Sequence, residues 1–276
     1  MKMKITRSGP IAVIPEIRGN LASMRYPAFC EVKYDGEACI INYDERNSIN
    51  ILTTNKYGTM RTEWNKLDQI ANILEEQGIK KGLFLGEIFY EDGKAGRLYD
   101  LLSNKDNDDL GIKIYDVIRL INDVDMQANK TPLIDRKELL TDLFYATPFY
   151  IKPIVVQNKQ EVERDFETIT RMGFEGCVVK PMDGFLTMGP CNWVKMKKKD
   201  QTDYQVDSID NTKERISIAV PTVINNCTKV VSVGVKVSNK IKQHLKLGDL
   251  VTIEHQGILP SGSLRHPVFI GRAKGE

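Results

Sequence analysis

Near residue 200 the chain changes texture, and the two sides of that change call for different architectures. Beyond the basic run KMKKKDQTD come the short runs YQVDSI, RISIAV, KVVSVGVKVS, DLVTIEHQGIL and PVFIG, and only NKIKQHLKL has a helical pattern. Side chains alternate across a strand, so runs of this kind make half-buried strands. Five of them in so short a stretch predict a small barrel of the OB-fold kind over residues 201–276. Residues 1–200 mix two patterns instead. Strand-like runs occupy 29–42, 83–90, 111–121, 174–181 and 192–197. In TEWNKLDQIANILEEQG, Trp64, Leu67, Ile70, Ala71 and Leu74 share one helical face, and Gly78 marks its C-terminal end. NKQEVERDFETITRMGF aligns Val162, Phe166, Ile169 and Met172 and ends at Gly173, while DRKELLTDLF opens with Asp135 and Glu138 at capping-box spacing. Strands and helices without strict alternation predict an α+β domain built on antiparallel sheets.

With 276 residues, 41% of them hydrophobic, the chain can pack one large core or two smaller ones. Lys and Arg number 39 against 37 Asp and Glu, so a basic surface has to come from local clustering. The five cysteines (Cys30, Cys39, Cys177, Cys191, Cys227) contain no CxxC pair and are odd in number. That argues against a zinc site and a disulfide framework, and predicts a reducing, cytoplasmic setting. No apolar run approaches the roughly 18 residues of a membrane span. The opening MKMKITRSGP is not followed by the apolar core of a signal peptide.

The run EVKYDGE, Glu31 to Glu37, sets a lysine beside a carboxylate and a glycine within an apolar stretch. Two readings stand. One is a β-hairpin turning at Gly36 with a solvated charge. The other is a lysine held in a pocket as an amine nucleophile. The residues that follow in order weigh on the choice. FLGEIFYE places Glu87 at a strand end, IKIYDVI places Tyr115 beside Asp116, FEGCVVKP offers Glu175 and Lys180, and SGSLRHPVFIGR offers Arg265 and Arg272. In NWVKMKKK, Lys195 and Lys197 alternate with Val194 and Met196, which on a strand sends both ammonium groups to one face. Two such lysines suit a phosphate.

Together these segments, over roughly 29 to 272, resemble the covalent nucleotidyltransferases and most closely the ATP-dependent DNA ligases. The resemblance implies an adenylation domain (1–200) followed by an OB-fold domain (201–276), acting on ATP with Mg²⁺. It implies that Lys33 attacks the α-phosphate of ATP, carries AMP, and passes it to the 5′-phosphate of nicked duplex DNA for sealing by the 3′-hydroxyl. Lys195 and Lys197, opposed by Asp35, would favour the neutral amine and stabilise charge on the phosphate. By the same resemblance Glu31 reads the adenine amino group, Tyr115 stacks on the ring, and Lys180 joins the nucleotide-binding set. Glu87 holds the ribose and, with Glu175, the metal; Arg265 and Arg272 orient pyrophosphate. The protein would act as a monomer, away from membranes, with the polar KKKDQTD as a hinge between the domains.

The pattern departs from the family in places. Ala38 stands where an arginine is common, and Thr54, Asn55 and Lys56 stand where a second one is expected, with Lys56 or Arg61 as substitutes. The step from Arg265 to Arg272 is about one residue short, which makes Lys274 an alternative. An RNA ligase would share most of these motifs, but the SGSLRHPVF ending is of the DNA-ligase kind. A guanylyltransferase would use GTP, against Glu31, and an NAD-dependent ligase needs a further domain before the lysine.

Overall fold

The computed structural model describes residues 4–7, 16–17, 19–46, 48–53, 59–91, 109–186, 190–224, 226–259 and 261–273. The chain divides into two compact units, Met1–Met196 and Lys197–Glu276. The first is built on two antiparallel sheets. Strands β1 (Lys4–Arg7), β4 (Gly36–Asp44), β5 (Ser48–Thr53), β6 (Thr59–Thr62), β7 (Lys81–Tyr90), β8 (Leu110–Ile121) and β9 (Asp125–Gln127) form one, in the order β1-β6-β5-β4-β7-β8-β9. Strands β3 (Ala28–Lys33), β10 (Ile154–Val156), β11 (Gly176–Pro181) and β13 (Val194–Lys197) form the other, in the order β10-β3-β11-β13. A short parallel pair joins β2 (Glu16–Ile17) to β12 (Pro190–Cys191).

Period-two alternation gives each sheet an outer and an inner face. On the seven-stranded sheet Ile41, Ile51, Phe84, Ile88 and Ile114 pack outward against α1 (Asn65–Glu76) and α2 (Leu133–Phe144). On the four-stranded sheet Cys30, Cys177, Val179 and Val194 pack outward against Val162 and Ile169 of α3 (Lys159–Arg171). The inner faces meet through Ile40, Leu85, Tyr115, Val178, Leu186 and Trp193. Side chains of opposite parity to the outward cores therefore line a cleft between the sheets.

Three local expectations are corrected. The run at 29–42 is not a hairpin: β3 pairs with β10 and β11, whereas β4 pairs with β5 and β7. The turn at Tyr34–Asp35 carries the chain from one sheet to the other. Asp135 does not cap α2, which starts two residues earlier after Pro132 without a side-chain cap. Its first amides are satisfied instead by backbone, Leu133 N–H donating to Gly184 O at 2.9 Å and Ile134 N–H to Met182 O at 2.9 Å. Met172 is 69% exposed because it lies beyond the last turn of α3, at its C-cap. Elsewhere the helical faces are as expected, with Trp64, Leu67, Ile70 and Leu74 buried and Gly78 at φ 67° closing α1.

In the second unit β14 (Asp200–Asp210), β15 (Arg215–Ile224), β16 (Cys227–Lys236), β17 (Leu250–His255) and β18 (Val268–Arg272) form one antiparallel sheet, ordered β16-β15-β14-β17-β18. It encloses Val206, Ile218, Val220, Val233, Val235, Val251 and Ile253. The polar DQTD is not a free hinge: Asp200–Asp203 pair with β17, and Thr252 Oγ1 donates to Asp203 at 2.6 Å. Among the described residues no helix is long and apolar enough to cross a membrane.

Candidate active site

Lys33 is the last residue of β3, and Gly36 opens β4 in the other sheet. A Cβ on Gly36 would stand 2.1 Å from Ile88 O and 2.9 Å from Glu87 Cγ, so only glycine lets β4 lie this close to β7. The turn between them is held by aromatic packing. The Tyr34 ring lies 4.6 Å from Phe89, two residues after Glu87, and 5.5 Å from Phe174, the residue before Glu175. The nucleophile candidate and both glutamates are thus brought together by one aromatic cluster.

Lys33 Nζ donates to Tyr34 O at 3.2 Å and is ion-paired with Glu175 Oε2. The side chains are 16% and 8% exposed, so the pair is largely shielded from water. Glu87 stands at the cleft on β7, opposite Ala38 on β4 and Lys113 on β8. Burial pushes its carboxyl up to about 7; Glu175 and Asp35 add to the rise, and Lys33 and Lys195 oppose it. Five expected site residues therefore share one electrostatic neighbourhood. Val194 and Met196 pack outward on the α3 core, so alternation on β13 gives Lys195 and Lys197 the inner face.

Deeper in the cleft, Lys180 Nζ donates to Glu31 Oε2 at 2.6 Å and lies 4.8 Å from the Tyr115 ring and 4.2 Å from the Trp193 ring. Lys180 is 1% exposed and so does not reach outward toward phosphates. Its cation instead braces the aromatic wall. Lys137, from α2, approaches Glu31 Oε1 to 2.5 Å and donates to Tyr115 O at 2.7 Å. Oε1 is itself buried, and its contact in this cluster is the Lys137 ammonium. Burial holds Lys137 down at about 8, against the pull of Glu31. Asp116 takes a bidentate pair from Arg136, at 2.8 and 3.0 Å. Burial pushes Asp116 up, but the Arg136 hydrogen bonds and charge bring it below the usual carboxylate range.

Residues 12–197 match the ATP dependent DNA ligase domain family. The chain belongs to the ATP-dependent DNA ligases. Among solved structures, a Lig E DNA ligase studied for DNA binding with a minimal scaffold is 17% identical, with 96% of this chain and 99% of that one covered at a TM-score of 0.66. Pmar-Lig_PreS3 is 19% identical, covering 95% of this chain and 68% of its own at 0.68. The ligase domain of M. tuberculosis LigD is 15% identical, with 95% of each covered at 0.55. At these identities the likeness is one of fold, an adenylation domain with an OB-fold. No match to this ligase is found among curated proteins.

In the OB unit Arg265 lies on the segment before β18, its N–H donating to Gly257 O at 3.0 Å and its carbonyl accepting from Gln256 N at 2.9 Å. Arg272, expected to orient pyrophosphate, commits its guanidinium to Asp249 at 2.6 Å and to His244 O. Both contacts lie within the OB unit and are made by Nη2, and the side chain is 55% exposed. Thr54, Asn55, Lys56 and Lys274 lie outside the described residues, as does the side chain of Arg61.

The sequence reading missed Arg136 and Lys137. Their signal is visible in hindsight: with Leu133 and Leu140 they fall at the i, i+3, i+4, i+7 positions of one helical stripe. Two cations on an apolar stripe must find buried partners. Trp193 and Lys113 were missed as well, the latter 5.6 Å above Tyr34.

Proposed function

We propose that this ligase seals nicks in duplex DNA by way of a lysyl-AMP on Lys33, and the observation that carries the reading is the Lys33–Glu175 pair beside Glu87 and Lys195. Attack requires an unprotonated amine. In the pair with Glu175, Lys33 Nζ is engaged by a carboxylate. Were Glu175 to hold Mg²⁺ instead, Lys33 would lose that anionic partner; the amine gives its proton to solvent before attack. The free Nζ then forms a P–N bond to the α-phosphorus of ATP, and the P–O bond to pyrophosphate breaks. Lys195 and Lys197 face the charge that develops on the phosphate.

Glu87 and Glu175 are the residues to hold Mg²⁺, which takes one or two carboxylates and completes its shell with substrate phosphate and water. The donor set fits: a carboxyl lifted to about 7 by burial and by neighbouring carboxylates is one that a cation relieves. Bound there, the metal would neutralise phosphate charge. Tyr115 provides an aromatic face for adenine and Glu31 Oε1 an acceptor for its amino group. AMP then passes from Lys33 to the 5′-phosphate at the nick, and the 3′-hydroxyl oxygen attacks that phosphorus and expels AMP.

Incubation with α-³²P-ATP and denaturing electrophoresis tests the first step. Wild type should carry label from ATP and none from GTP or NAD, and Lys33→Ala should carry none. A labelled Lys33→Ala protein would return Lys33 to a structural turn.

A further inference from the structure

We infer that Lys137 is a positioning residue for the nucleotide: from behind the cleft it fixes the Glu31 carboxylate relative to the Tyr115 strand. The inference rests on the adenylation reading of the cleft and concerns a residue outside that reading.

Lys137 is the point at which three parts of the first unit meet. Its Nζ lies 2.5 Å from Glu31 Oε1 on β3, donates at 2.7 Å to the Tyr115 carbonyl on β8, and sits 5.8 Å from the ring of Tyr150. One contact is to each sheet, so the ammonium spans the cleft at its base. Arg136 repeats the arrangement one residue away by gripping Asp116, the neighbour of Tyr115. Consecutive cations on α2 thus hold consecutive residues of β8, and the second of them also holds β3.

Charge balance does not account for Lys137. Lys180 already neutralises Glu31 at 2.6 Å, so Lys137 is a second cation on a single carboxylate. A lysine that is 2% exposed and in excess of its counter-charge is costly to bury, and an apolar side chain would serve the helix stripe better. What it supplies is geometry. With Oε2 committed to Lys180, the placement of Oε1 is set by Lys137 alone among the contacts described. The same group fixes the backbone that carries the Tyr115 ring. Acceptor and ring face are the two features a purine would meet, and their spacing is what binding depends on.

The test uses the full chain and α,β-methylene-ATP, whose α–β bridge cannot be cleaved, so affinity is measured apart from chemistry. Lys137→Met fits the space, because the lysine stem also lines an outer groove of about 380 Å³ beside Thr141 and Tyr150. The expected result is about a tenfold or greater loss of analogue affinity, with the adenylation rate at saturating ATP within about threefold of wild type. Lys137→Arg, which can span the same contacts, should recover most of the affinity. Unchanged affinity in a folded Lys137→Met protein, or no recovery in a folded Lys137→Arg protein, overturns the inference.

Should Lys137→Met fail to fold, the Glu31→Gln/Lys137→Met pair removes both charges and is compared with Glu31→Gln alone. The double variant should bind the analogue about tenfold more weakly than Glu31→Gln. Equal affinities would reduce Lys137 to a counter-ion and overturn the proposal. Failure of the adenylation reading shows separately, as wild-type protein that binds the analogue but never labels itself from ATP.

Discussion

Replacing Gly36 by alanine puts the two-sheet construction of the site under direct strain. The added Cβ would meet Ile88 O at 2.1 Å, against the 3.4 Å or more of ordinary contact, and Glu87 Cγ at 2.9 Å. The obstacle is backbone of β7 rather than the end of a flexible side chain, so β4 and the turn must retreat by about 1 Å. That turn carries Lys33, and β7 carries Glu87. A misplacement of about 1 Å at a reacting group costs on the order of 100-fold in rate. Gly36→Ala should therefore self-adenylate about 100-fold more slowly at saturating ATP, measured by single-turnover labelling. Thermal unfolding run alongside should show a folded protein with a lowered midpoint. A folded Gly36→Ala enzyme labelling within about threefold of wild type would mean that Lys33 and Glu87 are not held by the β4–β7 contact.

Arg136→Met strands the buried Asp116 carboxylate and should cost about 3–5 kcal/mol of stability in urea unfolding, most of it regained by adding Asp116→Asn; a change under about 1 kcal/mol would refute the burial argument. Glu87, lifted to about 7, binds a proton more readily folded than unfolded, so its ionisation destabilises the fold increasingly from the usual carboxylate range up to pH 7, and fully above it. Glu87→Gln should accordingly melt higher than wild type at pH 8, with the gap closing toward pH 4, and Mg²⁺-dependent adenylation by wild type should decline as pH falls through 7. Arg265→Ala should slow self-adenylation strongly while sparing the sealing of a pre-adenylated nick, and equal losses in both steps would place Arg265 on the DNA-binding surface or in folding.

Much of this site could be read from the chain because its residues obey the period of their strands. Lys195 and Lys197 were assigned one face from the alternation with Val194 and Met196, and those two do pack on the opposite core. Lys33, Glu87 and Glu175 were picked out in order along the chain, and the aromatic cluster around Tyr34 gathers their segments. Glu87, however, lies within β7, three residues before its end at Tyr90, rather than at a strand end. What local pattern cannot carry is pairing between distant segments. EVKYDGE reads equally well as a hairpin or a crossover, because nothing within it says that β3 will pair with β11 some 140 residues away. Lys137 was hidden for the same reason, since its partners lie on β3 and β8. The Arg272–Asp249 contact was hidden likewise, because Asp249 precedes β17 while Arg272 ends β18.

The crossover at Tyr34–Asp35 also divides the carboxylates unequally. Glu175 directly precedes β11, whose first residue, Gly176, pairs with Lys33, whereas Glu87 belongs to the opposite sheet. Spreading the sheets would leave the Lys33–Glu175 pair intact and carry Glu87 away from both. A cation held by the two glutamates would then be a stitch across the cleft, and its affinity would report how far apart the sheets stand. By linkage, if the two glutamates hold a metal, whatever draws the sheets together over a nucleotide would tighten that metal, and the metal would tighten the nucleotide by the same factor.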